Sequence, residues 1–179
     1  MRERNQRKIK LKMFFKIPKI NFSLKKDLAC IIVIFLIFTL DRFSKNKIID
    51  SQKNEASLYI NDYLNFELVW NTGIGFGLLS FNADFLYHLI SAIITIIVFL
   101  ILFLMLSAKN IEKFFYSLIL GGALGNLFDR LTYFAVPDFI DLHLQNYHWF
   151  TFNIADIFIT VGIILILFKE LISKNYEKN

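Results

Sequence analysis

Residues 121–156 read GGALGNLFDRLTYFAVPDFIDLHLQNYHWFTFNIAD, and the rest of the chain is organised around this stretch. It holds four acidic residues that stand out in so apolar a protein, namely Asp129, Asp138, Asp141 and Asp156. A carboxylate at or near lipid depth is costly unless it faces protein, water or a charged partner. Several carboxylates around one short connection therefore indicate a functional site.

The composition is that of an integral membrane protein. Hydrophobic residues make up 56% of the 179 positions, and 21 of them are Phe. Soluble domains contain about 45–50% apolar residues. A membrane-spanning helix needs about 20 predominantly apolar residues. Extending the longest apolar runs to that length predicts four spans, over about 26–47, 84–106, 113–134 and 153–172.

The basic residues predict the orientation of these spans. Half of the 20 Lys and Arg residues precede the first span. Because positive charge is retained on the cytoplasmic side, we expect both termini inside and the two long loops, 48–83 and 135–152, outside. The domain predicted over 26–172 thus follows a basic cytoplasmic arm, 1–25, which can lie on anionic lipid, and precedes a short tail, 173–179. The net charge of +5 is explained by topology and does not indicate a nucleic-acid partner.

The first outer loop contains a strand signal. Apolar and polar residues alternate over 64–70, which is typical of a half-buried strand. Gly73, Gly75 and Gly77 follow at alternate positions and favour a tight turn or bulged strand that can meet an extended peptide. The fold class predicted is therefore an all-α membrane protein of four transmembrane helices, with a small extracytoplasmic β-cradle between the first and second helices.

Polar residues near the outer ends of the first and third spans are predicted to interact. Asp41 and Lys45 are four residues apart, so they share a helix face and can form an ion pair. Asn126 and Asp129 likewise share a face, and Arg130 can offer its guanidinium to a nearby carboxylate. These residues either lock the helices together or support a site.

Two further carboxylates suggest acid–base chemistry. Asn153 is a favourable N-cap for the fourth span, and Asp156 follows at the positive end of that helix. Asp138 lies in the loop after the third span. Two carboxylates that meet at a water-accessible rim can share a proton, so that one activates water while the other polarises a peptide carbonyl. Such a pair titrates as a unit, and neither residue is assigned as the acid or the base.

A metal-dependent protease is one alternative, because four potential ligands lie close together in the sequence: Asp138, Asp141, His143 and His148. No His-Glu-x-x-His motif is present, and five-residue spacing of the histidines matches neither an i,i+3 nor an i,i+4 helix face. Metal-dependent proteolysis is therefore disfavoured.

A small ion-coupled carrier or assembly factor is a second, non-enzymatic alternative. It would use Asp41, Asp129 and Asp156 as a proton relay. Four short spans without inverted repeats make this alternative less favourable.

Five motifs, taken in order, resemble those of the lipoprotein signal peptidases, the bacterial signal peptidase II family. They are Asp41-Arg42-Phe43-Ser44-Lys45; Asn71-Thr72-Gly73 with Phe76; Gly121-Gly122-Ala123-Leu124-Gly125-Asn126 with Asp129-Arg130; Val136 with Asp138-Phe139; and Phe152-Asn153-Ile154-Ala155-Asp156. Ile74 and Gly75 depart from the family, which usually has two alanines there, and Asp141 matches no catalytic position.

The resemblance implies an aspartyl endopeptidase of the bacterial inner membrane, with its active site near the outer face. Its substrates would be diacylglyceryl-modified prolipoproteins, cut just before the lipidated cysteine, and water alone would suffice, without metal or organic cofactor. Asp138 and Asp156 correspond to the catalytic dyad. The positions implied to shape the site and bind substrate are Asp41, Lys45, Asn71, Gly73, Asn126, Asp129, Arg130 and Asn153.

Overall fold

The computed structural model describes residues 19–52, 57–73, 83–145 and 147–176. Most of the basic arm, and Ile74, Gly75, Phe76 and Gly77 of the first loop, lie outside the described residues. Within them, four long helices occupy the four stretches that hydrophobicity selects, and four strands form one sheet. In chain order the elements are α1 (Leu24–Ser51), β1 (Leu58–Asn61), β2 (Leu64–Asn71), α2 (Ala83–Ser107), α3 (Ile111–Tyr133), β3 (Val136–Leu144), β4 (Tyr147–Phe152) and α4 (Ile154–Tyr176).

Helix α3 is the centre of the bundle and packs against the other three helices. Its glycines permit this close approach. A Cβ on Gly122 would collide with the backbone carbonyl of Ala155 in α4, and one on Gly125 would lie 2.6 Å from Oδ2 of Asp41 in α1. Small residues at such positions let helix backbones meet, as predicted for this stretch.

The helices bury a narrow apolar core and expose wide apolar faces. The core cluster contains Cys30, Val98, Met105, Leu120 and Leu127. Large apolar side chains cover the outside of the bundle, as on α2, where Phe85, Ile96 and Phe99 are each about two-thirds exposed. Among the described residues, one segment, Phe85–Ser107, is long and apolar enough by composition to cross a membrane. The other three helices carry charged residues within their length.

The sheet is antiparallel, with strand order β1-β2-β3-β4. Strand β2 confirms the strand signal over 64–70, but the sheet is not confined to the first loop as predicted. The segment 135–152, expected as an outer loop, forms the β3–β4 hairpin, and β3 pairs with β2 from Leu64↔Leu142 to Asn71↔Val136. The start of β3 lacks the alternation of apolar and polar residues that marks β2. Residues 136–139 are all buried, so neither face of the strand there is lined by solvent-exposed side chains.

Buried charged residues lie at two levels of the bundle, one around Asp41 and Lys45 in α1 and the other around Asp27, near the start of α1. Lys113 forms a buried ion pair with Asp27 and donates to the backbone carbonyl of Asn21 at 2.6 Å. Asp27 and Asp41 are 14 residues apart on α1, which corresponds to about 21 Å along the helix. The bundle is therefore apolar in its middle and polar at both ends.

Candidate active site

Asp138 sits at the junction between the sheet and the helices. It lies in β3 with only 3% of its surface exposed. The side-chain amide of Asn71, at the end of β2, donates to Oδ2 at 2.9 Å. The side-chain amide of Asn153, just before α4, donates to Oδ1 at 2.5 Å. Each oxygen of this carboxylate thus has an amide partner.

Asp156 lies in the first turn of α4 and forms a reciprocal cap with Asn153. The Asn153 backbone amide donates to Oδ2 of Asp156 at 3.1 Å, and the Asp156 backbone amide donates to Oδ1 of Asn153 at 3.1 Å. This exchange satisfies two amides at the helix start. The other oxygen of Asp156 accepts from the Asn126 side-chain amide at 2.8 Å. Asn153 therefore contacts both carboxylates.

The protonation of Asp138 is tuned by these surroundings. The pKa of Asp138 is raised from 3.8 to about 6, chiefly by burial, because the charged form loses its hydration. The net value includes the hydrogen bonds from Asn71 and Asn153, which lower the pKa by stabilising the carboxylate, and the nearby Asp156 charge, which raises it. A carboxyl group with such a pKa exchanges protons near neutral pH.

Lys45 holds the polar residues of α1 and α3 together. Its Nζ donates to Asp41 Oδ2 at 2.8 Å, confirming the predicted i,i+4 pair. It also donates to Asn126 Oδ1 at 2.8 Å and to Asp129 Oδ2 at 2.7 Å. Lys45, Asp41 and Asp129 are fully buried, so the three bonds supply the partners that an ammonium group needs away from water.

Arg42, rather than Arg130, supplies the guanidinium for this network. Arg42 Nη1 lies 2.5 Å from Asp129 Oδ1, and Nη2 donates to Asp41 Oδ2 at 3.2 Å. The expectation that Arg130 reaches a carboxylate is wrong within the described residues: its Nη1 donates instead to the carbonyl of Thr72 at 3.3 Å. Adjacency along a helix does not decide such a contact, because Arg42 bonds its neighbour Asp41 whereas Arg130 bonds the Thr72 carbonyl. Arg42 could have been found from its three-residue spacing to Lys45.

Asp41 also reaches the start of α4. The backbone amide of Ala155 donates to Asp41 Oδ1 at 3.1 Å. The first amides of a helix lack internal partners, and this bond satisfies one of them in a fully buried place. The network of α1 and α3 is thereby joined to the helix that carries Asp156.

Gly73 orients Asn71. Its backbone amide donates to Asn71 Oδ1 at 2.7 Å, which leaves the Asn71 amide nitrogen directed at Asp138. Gly73 has φ +78°, a left-handed conformation that glycine adopts without strain. A Cβ at this position would also lie 3.1 Å from the Arg130 guanidinium. The structure thus connects all ten residues singled out from the sequence, and Arg130 joins them through its hydrogen bond to the carbonyl of Thr72, between Asn71 and Gly73.

Asp141 belongs to a different cluster. Its carboxylate lies beside His143 and His148 rather than beside Asp138, with its Oδ2 2.8 Å from His148 Nδ1. The helical-spacing argument against a shared metal does not apply to these histidines, because they face each other across the β3–β4 hairpin.

Comparisons with known proteins agree with this architecture. The family model described as signal peptidase (SPase) II matches residues 33–172. The lipoprotein signal peptidase of Pelagibacter ubique is 44% identical over 159 residues, covering 88% of this chain and 96% of the relative. That of Thermodesulfovibrio yellowstonii is 41% identical over 140 residues, covering 78% and 92% respectively. A solved structure of a bacterial membrane enzyme superposes with a TM-score of 0.68 at 29% identity, covering 86% of this chain and 97% of the other.

A four-helix bundle that joins a small sheet at a cluster of buried carboxylates, and that matches a bacterial membrane enzyme in structure, indicates the class of membrane enzymes. The family model and the relatives each match most of the chain. The chain therefore belongs to the signal peptidase II family and is a peptidase.

Proposed function

We propose that the protein is an aspartyl endopeptidase that removes the signal peptide from diacylglyceryl-modified prolipoproteins and cuts just before the lipidated cysteine. Asp138 and Asp156 act as the catalytic pair. The proposal rests on one observation above the others: both carboxylates accept hydrogen bonds from the same residue, Asn153, at the junction of the helices and the sheet. Asp138 accepts from its side-chain amide and Asp156 from its backbone amide.

The chemistry follows from a pair that holds one proton. The ionised carboxylate takes a proton from water, whose oxygen attacks the scissile carbonyl carbon, while the protonated carboxyl donates to the carbonyl oxygen. The C–N bond then breaks as the amine nitrogen receives a proton. Because the pair titrates as a unit, the mechanism assigns neither role to one residue.

The other site residues hold this pair in position. Asn71 and Asn153 fix both oxygens of Asp138, and Asn126 fixes one oxygen of Asp156. Lys45 bonds Asn126 and so brings positive charge near the pair. These hydrogen bonds fix the position of the carboxylates, and small displacements of a catalytic group lower the reaction rate strongly.

In the bilayer we place four membrane-spanning helices with both termini in the cytoplasm, and we assign the protein to the bacterial inner membrane. The apolar faces of α1, α2 and α4 support this, because exposed patches of that size favour lipid. The polar layers near Asp27 and Asp41, about 21 Å apart, would then lie towards the two interfaces, with the catalytic pair near the outer one. Acyl chains of the substrate would contact the exposed apolar faces.

The test is cleavage of a diacylglyceryl-modified prolipoprotein by the purified protein in detergent, with a chelator present. Wild type is compared with Asp138→Asn and Asp156→Asn, and with Asp50→Asn, a conservative control at the end of α1. We expect wild type and the control to cleave, and both dyad variants to be folded but inactive.

Each other outcome is informative. If either dyad variant keeps near-normal activity, the assigned pair is wrong and Asp129 becomes the next candidate. If cleavage by wild type requires a metal, and both dyad variants cleave once metal is supplied, the aspartyl mechanism is wrong.

A further inference from the structure

The β3–β4 hairpin brings together three potential metal ligands that the proposed reaction does not use. They are Asp141, His143 and His148, and one ligand atom from each lies within 4.8 Å of the others. His148 Nδ1 is 2.8 Å and His143 Nδ1 is 3.5 Å from the same Asp141 oxygen, Oδ2. The two imidazole rings are stacked, with centroids 5.3 Å apart.

An irregularity in the hairpin creates this arrangement. Leu142 pairs with Phe150 and His143 pairs with His148, so Trp149 is an extra residue in β4. Such a bulge redirects the side chains next to it. Here it sets His148 opposite His143 and within reach of Asp141, two residues earlier on β3.

Two polar atoms of the cluster are buried without a hydrogen-bond partner. In the described part of the chain, Asp141 Oδ1 and His143 Nδ1 have no hydrogen-bond partner. The Asp141 side chain is 3% exposed and that of His143 is 8% exposed. Leaving such atoms unsatisfied costs free energy, and an unfilled ligand position is one established reason for finding them in a native protein. The His148 side chain, 53% exposed, leaves a path for an ion to enter.

We propose that Asp141, His143 and His148 bind a divalent first-row transition ion, for which Zn²⁺ is the probe. Two imidazole nitrogens and one carboxylate oxygen form a donor set typical of zinc, with a fourth position left to water. Imidazole donors disfavour Ca²⁺ and Mg²⁺, which take oxygen ligands. The ligand atoms already lie within 4.8 Å of one another, so binding needs only local adjustment of the side chains.

The site is distinct from the catalytic pair. Side chains alternate along a strand, so Asp141 and Asp138, three residues apart, point to opposite faces of β3. The bound ion would fasten β4 to β3, the strand that carries Asp138, while its fourth position stays open to water. Binding is measured without substrate, so its outcome is independent of the proposed peptidase activity.

The experiment is a Zn²⁺ titration of the full, tag-free chain in detergent after removal of metal with a chelator, measured by calorimetry. His148→Ala is the main variant because its side chain is half exposed and the substitution leaves the buried residues in place. Asp141→Asn is the second variant. His88→Ala is the matched control, since His88 is the one histidine of the three that lies outside the cluster, in α2.

We expect one saturable site in wild type and in His88→Ala, with affinity reduced at least about tenfold in His148→Ala and Asp141→Asn. Zn²⁺ should raise the melting temperature of wild type but not of His148→Ala. Co²⁺ should give a visible absorption band that depends on His148. Absence of saturable binding in wild type, or equal binding by His148→Ala, would overturn the proposal.

Discussion

The side-chain amide of Asn153 lies 2.5 Å from Oδ1 of Asp138, in a residue that also caps the helix carrying Asp156. One side chain thereby serves the start of a helix and a proposed catalytic group. Because the cap fixes Asn153, its amide is held towards Asp138 at no further entropic cost beyond that of folding.

Replacing Asn153 should separate these two functions. Asn153→Ser retains an N-cap side chain but not the amide that reaches Asp138, whereas Asn153→Ala removes both. We expect both variants to lose about tenfold to hundredfold in kcat, and only Asn153→Ala to lose about 1 kcal/mol of stability. Cleavage assays and detergent melts measure the two effects. Full activity in Asn153→Ser would show that the Asp138 contact is dispensable.

Loss of the Asn71 amide should shift the pH dependence of cleavage. The Asn71 hydrogen bond stabilises ionised Asp138, so Asn71→Ala raises the pKa of Asp138 above its present value of about 6. The limb of the kcat/KM profile that reports this ionisation should therefore move to higher pH. Asn61→Ala, at the exposed end of β1, is the control and should leave the profile in place. An unmoved profile in Asn71→Ala would contradict the contact.

Asp138 should also make stability depend on pH. Its pKa is raised from 3.8 to about 6, so the native state binds more protons than the unfolded state in this range. The stabilising contribution of protonated Asp138 is complete below pH 3.8 and is lost as the pH rises through about 6. Integrated over the range, the loss is about 3 kcal/mol.

Asp138→Asn should lack this loss. The melting temperature of the variant relative to wild type should therefore be higher at pH 8 than at pH 4.5, measured in the same detergent. The amide mismatch that asparagine introduces against Asn71 and Asn153 is the same at both pH values and does not affect the comparison. A pH-independent difference would contradict the raised pKa.

Removing Lys45 should destabilise the bundle through the acids it leaves behind. Asp41 and Asp129 balance Lys45 and Arg42, so Lys45→Met leaves one uncompensated buried negative charge. We expect a cost of about 3–5 kcal/mol. Adding Asp129→Asn restores neutrality, and the double variant should recover part of the loss in a denaturation experiment. Additive losses would mean that charge balance is not the cause.

Gly73→Ala should impair catalysis through Asn71. Alanine at φ +78° costs about 1–2 kcal/mol, and its Cβ would press on the Arg130 guanidinium. A shift of the backbone or of the Arg130 guanidinium would disturb the turn that directs Asn71 at Asp138. We therefore expect a lower kcat/KM with little change in expression. Gly73→Asn, which tolerates this backbone better, should be less affected. Equal activity in all three proteins would disprove the role of the turn.

The sequence was sufficient for interactions that are local along a helix. The pair Asp41 and Lys45 could be predicted because four-residue spacing fixes a shared face. The cap formed by Asn153 and Asp156 was predictable for the same reason. Their joint contact with Asp138 was not, because it depends on where β3 lies relative to α4.

Contacts between elements account for the errors. The sequence indicates that Arg130 can offer its guanidinium to a nearby carboxylate, yet the guanidinium beside Asp129 comes from Arg42 on another helix. His143 and His148 were judged by helical spacing, although a bulged hairpin brings them together. Strand β3 was missed because burial on both faces removes the alternation that marks β2.

The pairing of β2 with β3 has a consequence for biogenesis. These strands are separated in the chain by α2 and α3, so Asn71 meets Asp138 only after both helices have been made and β3 has followed them. Closure of so long a connection is entropically slow compared with forming a hairpin. The order of synthesis would then act as a safeguard, because a nascent chain holds no assembled carboxylate pair until its last helix is in place.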